Sequence, residues 1–128
     1  MAKIELHPIT KELLTAIDGA FAVSPFADTI RVNASASRLE YGMDTIRIEN
    51  DCVRLTVVFD RLMRQVCIVG FMKEVPGTPC SHAFKGEIVL DFSKPETKAD
   101  GNLFVDVFAR MMKQYNAIES LMKEEIVY

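Results

Sequence analysis

The chain has 128 residues, enough for one domain with a core that needs no disulfide or metal to fold. Hydrophobic residues make up 49% and charged residues 26%, which excludes a disordered chain, and no apolar run nears the ~18 residues of a membrane span. A net charge of −3 argues against phosphate-driven nucleic-acid binding, which needs a basic excess.

The first residues, MAKIELHPIT, lack the apolar stretch of a signal peptide. Three cysteines are an odd number and give no disulfide framework. Both observations predict a cytoplasmic protein. In residues 7–19 (HPITKELLTAIDG), Ile9, Leu13, Leu14 and Ile17 share a helical face. Thr10 is the expected cap of this helix and Gly19 its expected stop. Residues 24–30 (SPFADTI) predict a second short helix, with Ser24 as cap and Pro25 in its first turn. Residues 31–41 fit strand and helix equally.

From Asp44 the period changes to two. Ile46 and Ile48 alternate with Thr45, Arg47 and Glu49; Val53, Leu55, Val57 and Phe59 alternate with Cys52, Arg54 and Thr56. Asn50-Asp51 is the expected turn between them. Residues 64–75 are apolar on both faces, as a central strand is. Residues 83–92 alternate again, with Phe84, Gly86, Ile88, Leu90 and Phe92 expected on one side. A long helix over residues 102–125 closes the series, with Asp100 as its expected cap. The order predicts a single α+β domain over residues 1–128. It is an antiparallel meander of three to five strands, with a short N-terminal and a long C-terminal helix on one face.

Chemistry is sparse. There is no glycine-rich phosphate loop, and Cys52, Cys67 and Cys80 stand singly rather than in metal-binding pairs, so no metal or cofactor is expected. Cys80 and His82 are the one catalytic candidate. In an extended segment, residues two apart share a side, and an imidazole beside a thiol favours the thiolate. Nothing near them in sequence supplies an orienting group or an oxyanion hole. The loop reading, with prolines and a glycine shaping a turn, is the simpler one.

Arginine is more informative than net charge. Six of the seven arginines lie between Arg31 and Arg64. With the turn at Asn50-Asp51, Arg47 would face Arg54. A turn over residues 60–63 would bring Cys67, Val69 and Phe71 beside them. Arg47, Arg54, Cys67, Val69 and Phe71 are therefore the expected partner-binding residues, with Glu49 or Glu40 as compensating charges. The last helix carries an apolar arc of roughly 200°, wider than one core contact needs. Either the helix is wedged inside the domain, or Val105, Phe108 and Met112 face a second copy in a homodimer. The reading that follows is a non-enzymatic protein-binding protein, an adaptor, assembly factor or inhibitor. One rival is a thiol enzyme or small-molecule binder at Cys80 and His82. The other is a nucleic-acid binder on the arginine face with Phe71 and Tyr41 stacking on bases.

Overall fold

The computed structural model describes residues 4–73 and 81–125, excepting the side chains of residues 81–84 and 122–125. The chain runs α1 (Pro8–Ala22), β1 (Arg31–Ser35), β2 (Met43–Glu49), β3 (Val53–Asp60), β4 (Gln65–Met72), β5 (Ser81–Asp91) and α2 (Gly101–Glu125). The strands form one antiparallel sheet in the order β1-β2-β3-β4-β5, an α+β meander with both helices on one face.

Proline sets the start of α1. A residue before proline is pushed out of the helical region, and His7 is extended (φ −58°, ψ 145°). Its carbonyl accepts from Lys11 N at 3.0 Å, and its imidazole Nδ1 accepts from Ile9 N at 3.1 Å. His7, not Thr10, is therefore the cap; Thr10 is buried. Nor does Gly19 stop the helix. The i, i+4 series Leu13, Ile17, Phe21 continues past it into the core, where Phe21 meets Phe108 edge-on at 5.6 Å. That burial is worth about 1.5–3 kcal/mol for a large side chain and outweighs the ~1 kcal/mol helix cost of a glycine. Residues 24–30 form consecutive turns instead of a helix. Ser24 Oγ still accepts from Phe26 N at 3.2 Å, so the cap chemistry is present without a helix to follow.

The sheet corrects two turns. Asn50 is not the first turn residue but the last paired one: its N–H donates to Val53 O at 3.1 Å. Its side-chain carbonyl accepts from Cys52 N (2.8 Å) and Val53 N (2.9 Å), and its amide donates to Met112 Sδ on α2 at 3.3 Å. The turn is thus Asp51-Cys52, and Arg47 faces Thr56 while Arg54 faces Glu49. In the next hairpin Asp60 faces Gln65 across residues 61–64, and Arg54 faces Phe71. Asp60 Oδ1 caps that loop by accepting from Leu62 N and Met63 N, and Arg64 closes it at φ 55°. Each partner moves by two residues, so every side chain keeps its expected face. Residues 31–35 resolve as a strand. On β5, register shifts split the expected single face: Leu90 faces Val66 on the helix side, and Ile88 faces Cys67 on the other.

The wide arc of α2 is used inside the chain. Phe104, Val107, Phe108, Met111 and Tyr115 are buried between the sheet and α1. Asp100 Oδ1 accepts from Asn102 N at 3.0 Å, as expected of the cap. At Gly101 the helices pack closely: a Cβ there would overlap the Ala16 carbonyl, whereas a Cβ at Gly19 meets nothing within 4 Å. Opposite outcomes are expected for one chemical change. Gly101→Ala should destabilise by about 1–3 kcal/mol through overpacking, and Gly19→Ala should stabilise by about 0.5–1 kcal/mol. Urea-unfolding midpoints of the two variants provide the check.

Candidate functional site

Helices cover one face of the sheet, and the opposite face has no layer on it among the described residues. Register sets its rows. One runs Arg31, Glu49, Arg54, Phe71; the next Asn33, Arg47, Thr56, Val69; the next Ser35, Thr45, Val58, Cys67, Ile88. The five expected partner-binding residues therefore do share this face. Arg47 is exposed, Arg54, Cys67, Val69 and Phe71 are half-buried, and Ile88, which the sequence placed on one side with Leu90, is 57% exposed here.

Charge on the face is uneven. Glu49 Oε2 lies 3.0 Å from Lys73 Nζ; that hydrogen bond, with Arg31 and Arg54 beyond it, outweighs burial and holds its carboxyl below the ordinary value. Asp51 takes Arg31 at 3.4 Å. Among the described residues no carboxylate forms an ion pair with Arg47 or Arg54. The Arg54 guanidinium sits over the Phe71 ring at 5.1 Å, and among the described residues its Nε is shielded from water without a hydrogen-bond partner.

A second surface lies at the end of the sheet where β2 begins. The backbone N–H of Arg61 donates to Gly42 O at 3.1 Å and Met43 faces Asp60, so the loop before β2 abuts the turn after β3. Leu39, Tyr41, Met43, Leu62 and Met63, all 54–72% exposed, gather there. The sequence hid this cluster because its members come from two loops and the first residue of β2, with no shared period. Tyr41 belongs to this end and Phe71 to the Glu49 end, with the length of β2, roughly 20 Å, between them. The two rings do not stand side by side as a stacking platform.

Beneath this end lies Asp44, with no side-chain exposure. Its Oδ2 accepts from His7 N (2.9 Å) and Thr10 Oγ1 (2.8 Å). Its Oδ1 accepts from Ser37 N (3.0 Å) and Arg61 Nε (2.8 Å), with Arg61 Nη2 at 2.7 Å. Arg61 Nη2 also donates to Glu5 O at 3.1 Å. Burial pushes the Asp44 carboxyl up, but donors from Ser37, His7, Thr10 and Arg61 outweigh it and hold the pKa below 3.8. The His7 ring lies 4.9 Å from Phe59, tilted at 43°; burial, then Arg61 and Arg64, lower its imidazole from 6.5 against the opposing pull of Asp44.

Other candidate residues resolve differently. Cys80 lies outside the described residues, and His82 is placed only by its backbone, opposite Phe71 on β5. The thiol of Cys52 is raised by burial, then by Glu119 and Asp51, and so stays protonated. Phe108 is fully buried against Phe21 and Phe26, so its side chain is not offered to a second copy. Val105 and Met112 are partly buried against the same core. Among the described residues no three His, Cys, Asp or Glu side chains gather to hold a metal ion, and no helix is long and apolar enough to cross a membrane.

The Asp44 cluster has a defined pH signature. Both His7 and Asp44 have folded pKa values below their unfolded ones, so the unfolded chain binds more protons in between. Stability should be full above pH 6.5, fall as His7 protonates and loses its capping acceptor, then fall again below 3.8 as Asp44 protonates. His7→Asn, which keeps a cap without titrating, should remove the first stage. Asp44→Ala should cost about 3–5 kcal/mol by leaving Arg61 unpaired. Thermal melts from pH 3 to pH 8, in about half-unit steps across the range these groups titrate, check all three.

The chain matches no protein-family model, no curated protein and no solved structure.

Proposed function

We propose that this is a non-enzymatic protein-binding protein, an adaptor, assembly factor or inhibitor of the cytoplasm, that seats another protein on the uncovered sheet face. One observation carries the reading. A face with no helix over it keeps an apolar strip, Val58, Cys67, Val69, Phe71 and Ile88, beside two arginines that lack carboxylate partners among the described residues. Apolar and aromatic side chains with arginine are the composition of an interface centre. A partner with carboxylates around an apolar strip would neutralise Arg47 and Arg54 and cover Ile88 in one contact. Two arginines in a chain of net charge −3 supply too little counterion release to favour nucleic acid over such a partner.

The test compares affinity purification from native cells using the wild type, two face variants and a control on the outer side of α1. Arg47→Glu and Ile88→Asp should lose a protein that the wild type and Lys11→Glu retain. All three substitutions are at exposed positions and should change unfolding free energy by about 0.5 kcal/mol or less. Equal recovery with every variant would sink the face as the binding site. Recovery of nucleic acid that falls steeply with salt would replace the protein partner.

A further inference from the structure

A sheet that does not close has two edges, and here they differ. β5 is a poor template for another strand, because three register shifts against β4 break the regular spacing of its backbone groups. β1 keeps unbroken register with β2 from Arg31 to Ser35 and contains no proline or glycine. Its helix-side residues are Val32 and Ala34, so no charge points inward to repel a second strand. The helices lie chiefly on β2, β3 and β4; Val32 packs against the core, but Ala34 is exposed on the side the helices would cover. Among the described residues nothing pairs with its outer edge.

We infer that β1 pairs with β1 of a second copy, antiparallel, about a two-fold axis through Asn33, so that two sheets join into one. The sequence of the strand is self-complementary in this arrangement. Arg31 falls opposite Ser35, Val32 opposite Ala34, and Asn33 opposite itself. Parallel in-register pairing would instead put Arg31 against Arg31, which like charges disfavour. In the two-fold arrangement each Arg31 stays with Asp51 of its own chain. Val32 and Ala34 meet as an apolar pair on the helix side. On the other side, Asn33 and its facing copy are small, uncharged and exposed, and set no like charges against each other. Backbone groups on the outer edge gain partners whichever residues of β1 point outward, because the axis at Asn33 closes either set. The contact is isologous, as a closed dimer requires. It also makes the uncovered faces of the two copies continuous, with Arg47 of each on one surface.

The experiment has two parts. Sedimentation equilibrium of the full chain should give twice 14.4 kDa at about 100 µM, the range where small interfaces associate. Ala34→Lys, which sets an ammonium against the facing Val32, should return the mass to 14.4 kDa, with a melting curve matching the wild type's at a dilution where both are monomeric. Asn33→Cys reads the register: under mild oxidation it should form a disulfide-linked dimer on a non-reducing gel, which the wild type does not. A monomer at every concentration overturns the inference and leaves the edge to an extended segment of another protein. A dimer that survives Ala34→Lys, or Asn33→Cys that does not cross-link, moves the interface elsewhere and equally overturns it. Neither result depends on the proposed partner, so the failure of one does not imply the failure of the other.

Discussion

A carboxylate without solvent must find its donors inside the protein, and Asp44 draws them from four residues in three separate segments. His7 N fixes the entry to α1, Thr10 its first turn, Ser37 the loop between β1 and β2, and Arg61 the turn between β3 and β4. Gly42 tightens that loop further, since a Cβ there would overlap Ser37 Oγ. Burying an ion pair costs desolvation that its Coulomb attraction barely repays. Its contribution is better understood as geometry: the two loops and the start of β2, which carry Leu39, Tyr41, Met43, Leu62 and Met63, hang from one carboxylate. The exposed cluster at that end is held from below by the bonds of Ser37 and Arg61 to Asp44.

The opposite end is fixed by a neutral counterpart. Asn50 is buried, closes the Asp51-Cys52 turn with its side-chain carbonyl and reaches Met112 on α2 with its amide. Each end of the β2–β3 pair is thus pinned by one buried polar side chain. Between them the helix-side residues are apolar without exception from Ile46 to Phe59. This arrangement leaves the other face unconstrained by packing, which is what allows it to hold Arg47, Arg54 and an apolar strip together.

The placement of Arg54 shows how much depends on a turn. One residue of displacement at Asn50 replaces an Arg47–Arg54 juxtaposition with Glu49 opposite Arg54 and Phe71 on its other side. Two like charges directly opposite on a sheet would have destabilised it. With Glu49 opposite and the Phe71 ring beneath the guanidinium, the face is tolerable alone and still cationic.

Short-range rules were legible in the sequence by itself. The period-two alternation of residues 44–59 assigned every side chain to its face, because a strand alternates whatever its register. Asp100 capped α2 as its type and position imply, and the antiparallel meander followed from strands joined by short turns. Five of the proposed binding residues were placed on one face for the same reason. The Pro8 signal was present too, since it forces His7 out of the helix, but the apolar spacing drew the cap to Thr10. Only the tertiary structure decided the rest. Helix α1 passes Gly19 because Phe21 finds Phe108, far along the chain. β1 has one large apolar residue, Val32, and becomes a strand only by pairing with β2. Bulges in β5 separate Ile88 from Leu90, and the wide arc of α2 is consumed by α1 and the sheet together. Each of these turns on contacts between distant residues, and neither propensity nor period carries information about which distant residues will meet.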